Sequence, residues 1–168
     1  MDRKRVHLMG HSTGGEMVFT MACHSADLVA GIASMAGNTY LDPSRCQPSE
    51  PVNILCIWGT SDEVVNYYGG TWGLSGSGGP APPFPGAVRS VQIWTSYNGA
   101  RDPVTDLVPT MDISTQVTGL DTVVTRYRTY SPGGAVELWS VIGGPHASAL
   151  STKASPQVID WLLAHPKP

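Results

Sequence analysis

The sequence predicts an α/β fold, a mostly parallel sheet with flanking helices, on three observations. Short apolar segments bounded by glycine alternate with segments of helical period. One of the apolar segments, Val52 to Trp58, has the character of a strand covered on both faces. A glycine-bracketed turn joins the first apolar segment directly to the first helical one.

The elements follow in chain order. Val6-His7-Leu8-Met9 is short, apolar and stopped by Gly10, as a strand entering a sharp turn should be. From Gly14 to Ser25 the apolar residues Met17, Val18, Met21 and Ala22 fall on one helical face. Ala30 to Ala36 is a second strand and Val52 to Trp58 a third. Residues Gly69 to Gly86 are rich in Gly, Ser and Pro and predict a loop or flap. Ala87 to Tyr97 predicts a helix ended by Asn98-Gly99, because glycine tolerates the left-handed cap. Ile113 to Val117 and Val123 to Tyr130, with Thr118 to Thr122 between them, predict an antiparallel hairpin. Val136 to Ile142 is the last core strand. Pro156 to Ala164 is a closing helix, with Ser155 as N-cap and Pro156 in its first turn. Without internal repeat or linker, the expectation is one domain over residues 1–168.

Composition narrows the function classes. A net charge of -3 and no run of Lys or Arg give no footprint for nucleic acid or an anionic membrane, so small neutral partners are expected. No apolar stretch reaches the roughly 20 residues that span a bilayer. The basic start, Asp2-Arg3-Lys4-Arg5, leads into a strand-length run and then His11 and Glu16, which is not the pattern of a secretory signal. Cys23, Cys46 and Cys56 cannot all pair, and their spacing fits neither a zinc site nor a redox CxxC motif. Cys56 reads as a buried apolar residue and Cys46 as a loop residue. No metal cluster or cofactor motif is present in the sequence, so none is expected.

Gly10-His11-Ser12-Thr13-Gly14 satisfies G-x-S-x-G and lies between a strand and a helix, the context that gives this pattern meaning. Small residues on either side of Ser12 let strand and helix approach, and the turn thrusts the hydroxyl outward. The N–H of Thr13, at the helix start, is placed to stabilise an oxyanion. The competing reading is a Gly/Ser turn matching by chance.

Serine alone is a weak nucleophile, so a base and a carboxylate that orients it are needed. Asp62 follows the third strand, in Gly59-Thr60-Ser61-Asp62, where parallel sheets build their sites. His146 follows the last strand, in Ile142-Gly143-Gly144-Pro145-His146. The order Ser, Asp, His is that of α/β-hydrolases. Bland rivals exist: Asp62 as a turn cap, with Glu63 its nearest substitute, and His146 as a solvated loop residue. His11, directed away from the hydroxyl, is a candidate substrate contact together with Trp58, Tyr67 and Trp72. Those aromatics, with Tyr68, suit short or aromatic acyl groups as well as they suit packing.

At these residues the chain resembles the polyhydroxybutyrate depolymerase and feruloyl esterase family of α/β-hydrolases. The matching stretches are Arg5 to Gly15, Cys46 to Val52, Gly59 to Tyr67, Val136 to Trp139 and Gly143 to His146. The resemblance implies that Ser12, Asp62 and His146 form a catalytic triad acting on esters of hydroxy or aromatic acids. It also implies disulfides that cannot all form here, since Ala100 and Tyr130 stand near family cysteine positions. Pro145 stands in place of a usual glycine, and Ala147-Ser148-Ala149 in place of Trp-Pro-Gly.

In the family the nucleophile strand lies mid-sheet, whereas this chain begins almost on it, so the expected fold is an N-terminally truncated one. The loop that normally gives a second oxyanion donor goes with the early strands, at a cost on the order of 3 kcal/mol that slows catalysis without abolishing it. An uncovered edge at Val6 to Met9 predicts a homo-oligomer joined there. Three functional readings follow: an esterase, a non-catalytic hydrolase-derived fragment or binding module, and peptidase or thioesterase chemistry on the same triad.

Overall fold

The computed structural model describes residues 2–71, 82–130, 132–147 and 150–168. Its strands are β1 (His7–His11), β2 (Gly31–Met35), β3 (Asn53–Gly59), β4 (Gly70–Thr71), β5 (Pro83–Phe84), β6 (Arg101–Thr105), β7 (Thr122–Arg128) and β8 (Val136–Val141). Its helices are α1 (Thr13–His24), α2 (Gly86–Asn98) and α3 (Ala154–Ala164). Six strands form one sheet in the order β1-β2-β3-β8-β7-β6. The first four are parallel, and β7 and β6 add antiparallel to β8. This is the mostly parallel α/β architecture the sequence predicts.

Strand β3 shows why its sequence is apolar on both sides. Ile54, Cys56 and Trp58 face one core layer with Val18 and Phe19 of α1 and Val91 and Trp94 of α2. Leu55 and Ile57 face the other, with Val158, Trp161 and Leu162 of α3. Successive side chains point to opposite faces, so a strand sandwiched by helices is apolar on both, here from Ile54 to Trp58. Burying each such side chain contributes about 1.5–3 kcal/mol. Helix α2 ends as expected, at Gly99 in the left-handed conformation with φ 65°.

Two expectations are corrected. Residues 113–117 do not form a strand against 123–130. Strand β7 lies between β8 and β6, and Met111 and Ser114 make only isolated bridges, to Thr122 and Leu150. The buried Asp121 carboxylate takes the backbone N–H groups of Ile113 and Ser114 at 3.0 and 2.7 Å, so a side chain replaces the ladder there. Strand β6 is instead the polar Arg101-Asp102-Pro103-Val104-Thr105 segment, exposed throughout and shifted in register between Arg101 and Pro103. An edge strand with two wet faces carries no alternation to read, and Pro is tolerated there.

The second correction concerns α3, which starts at Ala154 with Lys153 as N-cap, not at Pro156 with Ser155. The preceding turn is tied by Ser151, whose Oγ accepts from Lys153 N–H and donates to the Asp112 carbonyl.

Cys23 and Cys46 form a disulfide that fastens the end of α1 to the loop after β2, and Cys56 is the buried free thiol. Burial pushes that thiol up to about 12. Most of the 69–86 excursion lies outside the described residues, and its described ends pair as β4 and β5. Strand β1 pairs with β2 alone among the described residues and stands at the sheet edge.

Candidate active site

The site grows from three turns at the carboxyl ends of parallel strands. Ser12 sits between β1 and α1 with φ 55° and ψ -121°, a conformation rare for a residue with a side chain. Its backbone is held there on both sides: its N–H donates to the Met35 carbonyl at 2.8 Å, and its carbonyl accepts from Glu16 N–H at 3.0 Å. Glycine at residue 10 is required by proximity, because a Cβ there would collide with the Gly14 carbonyl.

Two further turns, one after β3 and one after β8, are bonded to each other. Thr60 N–H donates to the Val141 carbonyl at 2.9 Å, and Ser61 N–H to the Gly144 carbonyl at 3.0 Å. A side chain at Gly59 would strike that same Gly144 carbonyl. Thr60 Oγ1 accepts from Gly143 N–H at 2.8 Å, and a Glu63 carboxylate oxygen accepts from His146 N–H at 3.3 Å. The loops that carry Asp62 and His146 are thus laced to each other.

Three side chains meet across these turns. The Asp62 carboxylate, whose side chain is fully buried, accepts from Val64 and Val65 N–H at 2.9 and 2.7 Å through Oδ1. Its Oδ2 lies 2.8 Å from His146 Nδ1. Because a carboxylate oxygen accepts, Nδ1 carries the proton in the neutral ring and leaves Nε2 with a lone pair. That nitrogen lies 3.0 Å from Ser12 Oγ, within reach of the hydroxyl proton. Thr13 is the first residue of α1, so its N–H has no acceptor within the helix.

The remaining sequence candidates are distributed differently. His11 lies with its ring 4.9 Å from that of His146, and its Nε2 donates to the His146 carbonyl at 2.8 Å. Two of the aromatic candidates, Trp58 and Tyr67, lie in the core. Trp58 is 1% exposed, and its indole N–H donates to the Val65 carbonyl at 3.0 Å, holding the Asp62 loop from inside the core. Tyr67 is buried and shares a 2.7 Å hydrogen bond with Ser140. Tyr68 is exposed, and Trp72 lies outside the described residues. The contacts of Thr60, Glu63 and His11 with the histidine loop carry no sequence signal, because each joins residues far apart in the chain.

Three hollows lie about the site, one of them, of about 460 Å³, lined by Asp62, Glu63 and Val64. A depression of about 30 Å³ is lined by His11, Met35, Ile57, Trp58, Val141 and His146 among others. A groove of about 440 Å³ is lined by Glu16, one helical turn beyond Ser12, with Phe19, Tyr40, Phe84 and Arg45, which stacks on the Tyr40 ring. Among the described residues, no group of three or more His, Cys, Asp and Glu is arranged to hold a metal ion. Nor is any helix among them long and apolar enough to cross a membrane.

Comparison with known proteins finds distant relatives that carry esterase names. The chain is 30% identical over 150 residues to feruloyl esterase B of Piromyces equi, covering 88% of this chain and 26% of that protein. It is 36% identical over 67 residues to the bifunctional acetylxylan esterase/xylanase XynS20E of Neocallimastix patriciarum, covering 40% of this chain and 10% of that protein. No family model matches. The chain thus spans about a quarter or less of the length of these curated relatives. Its α/β sheet and these alignments make it a distant homologue of proteins that carry esterase names.

Proposed function

We propose that this chain is a serine esterase that hydrolyses short-chain or aromatic acyl esters through Ser12, His146 and Asp62. The observation that carries the reading is the unbroken hydrogen-bonded series from Ser12 Oγ through the His146 ring to the buried Asp62 carboxylate. In the reaction Ser12 Oγ attacks the acyl carbon while its proton passes to His146 Nε2. Asp62 stabilises the imidazolium that forms and keeps its orientation. The tetrahedral oxyanion takes the Thr13 N–H, a donor of a kind worth about a hundredfold or more in rate. Collapse of the adduct expels the alcohol, which leaves with the proton from His146. Water, deprotonated by the same nitrogen, then attacks the acyl-enzyme and restores Ser12.

The acyl preference rests on separate supports. The small apolar depression beside His146 suits a short acyl group, and the aromatic-lined groove along α1 suits a larger one. Aromatic acyl esters are favoured further by the name of the Piromyces equi relative. Esters of hydroxy acids rest on the sequence resemblance alone. Hydrolysis of p-nitrophenyl acetate and butyrate and of methyl ferulate tests the reading. Turnover lost in Ser12→Ala is expected, and no turnover by the wild type, or equal turnover by the variant, overturns it.

One observation favours a second reading, a non-catalytic hydrolase-derived module. Ser12 follows an edge strand with a single neighbour among the described residues, where α/β-hydrolases place this strand mid-sheet. Failure of a fluorophosphonate probe to label the protein would favour it.

A further inference from the structure

We propose that His11 is a positioning residue for the base, acting through the backbone of His146; the inference rests on the esterase reading above. The loop carrying His146 is tied by Thr60, Ser61 and Glu63 to the β3 side of the site, the side that also supplies Asp62. Those bonds set the histidine relative to the carboxylate. They do not set it relative to the nucleophile, which stands on a different strand. His11 supplies that link. It is the covalent neighbour of Ser12, and its Nε2 reaches 2.8 Å to the His146 carbonyl.

The chemistry of the link has one solution. A carbonyl oxygen only accepts, so His11 Nε2 must carry the proton, in the neutral ring as in the charged one. The bond closes a small circuit, from Ser12 through the peptide to His11, across to the His146 carbonyl, and back through the imidazole to Ser12 Oγ. Within that circuit the 3.0 Å approach of Nε2 to Oγ follows from the hydrogen bond to the loop carbonyl. The ring contact between the two histidines, at 4.9 Å and tilted by 46°, adds packing but no direction. A donor at residue 11 is therefore what the geometry asks for, and an aromatic ring alone does not suffice.

Two substitutions separate ring from donor. His11→Phe keeps an aromatic face and removes the donor, whereas His11→Gln loses the ring and keeps an N–H at nearly the reach of Nε2. His11→Asn offers a donor one bond too short and serves as a second loss variant. Steady-state kinetics on p-nitrophenyl butyrate, the labelling rate with a fluorophosphonate and thermal melts are measured on the whole chain. The expected result is a fall in kcat of about tenfold or more in Phe and Asn, because a reacting group misplaced by about 1 Å can cost about a hundredfold. KM and the melting temperature stay near wild type, the labelling rate falls with kcat, and Gln recovers most of the loss. Wild-type kcat in His11→Phe, or equal loss in Phe and Gln, overturns the inference while leaving the esterase reading intact. A wild type that neither turns over nor labels overturns both.

Discussion

Ser12 holds a backbone conformation that costs on the order of 1–3 kcal/mol for a residue with a side chain, and its two backbone hydrogen bonds keep it there. Asp62 is fixed by two backbone N–H groups, His146 by the bond from its own N–H to the Glu63 carboxylate, and the two by their bond to each other. Replacing Asp62 by Asn exchanges an acceptor for a donor opposite Nδ1 and favours the wrong tautomer. Asp62→Asn is expected to lower kcat by about 10⁴ with the fold unchanged by circular dichroism, the size of loss known for that exchange in another serine hydrolase. Gly59→Ala is expected to inactivate without touching any proposed catalytic side chain, because its methyl group would displace the Gly144 carbonyl and the histidine loop with it. Esterase kinetics on Gly59→Ala check this, and wild-type activity would contradict it. The positions of Ser12, Asp62 and His146 were legible because each follows a strand end in an order with a known meaning. The partners Thr60, Glu63 and His11 were not, since a hydrogen bond between residues 83 or 135 apart leaves no local pattern.

At the scale of elements, what could be read was what burial imposes on local sequence. Strands β2, β3 and β8 lie between helices and are apolar accordingly, and α1 and α2 keep helical spacing to within a residue of the expected ends. The misread segments are those whose partners are polar. Strand β6 is exposed on every residue, and 113–114 is held by the Asp121 carboxylate, so neither has the periodicity of its true state. The disulfide between Cys23 and Cys46 was equally hidden, because three cysteines allow three pairs and only the fold brings one pair together. It closes a loop of 23 residues and contributes on the order of 3 kcal/mol by constraining the unfolded chain. With that pair bonded and the Cys56 thiol buried and pushed up to about 12, native protein is expected to show no thiol reactive to Ellman's reagent at pH 8. One thiol should appear in guanidinium without reductant, and fast reaction of the native protein would contradict the assignment.

At the scale of the whole molecule, the sheet brings the nucleophile's strand to one edge and the acid and base to the middle, two and three strands away. Strand β1 is the weak margin of this arrangement. Met9 and His11 on it are exposed, and we propose that this edge pairs with a second copy of the chain. Light scattering after size exclusion at micromolar concentration is expected to give a dimer or larger species, and a single monomer peak would refute it. The same strand gives a pH dependence. Burial first, and then the charge of Arg5, lower the His7 pKa from its ordinary 6.5. The folded state therefore binds that proton less readily than the unfolded one, and the stability His7 contributes is present above pH 6.5 and lost as the pH falls below it. Urea unfolding at pH 7.5 and 5.5 should show a smaller loss in His7→Gln than in wild type.

The claim on which the functional account turns is that Ser12 is made reactive by His146. Intact-mass measurement after brief exposure to a fluorophosphonate tests it without any assumption about substrate. The account predicts one adduct per chain, located at Ser12 by peptide mapping and absent or slowed at least about a hundredfold in His146→Ala. An unlabelled wild type, or labelling at the same rate in His146→Ala, would contradict it.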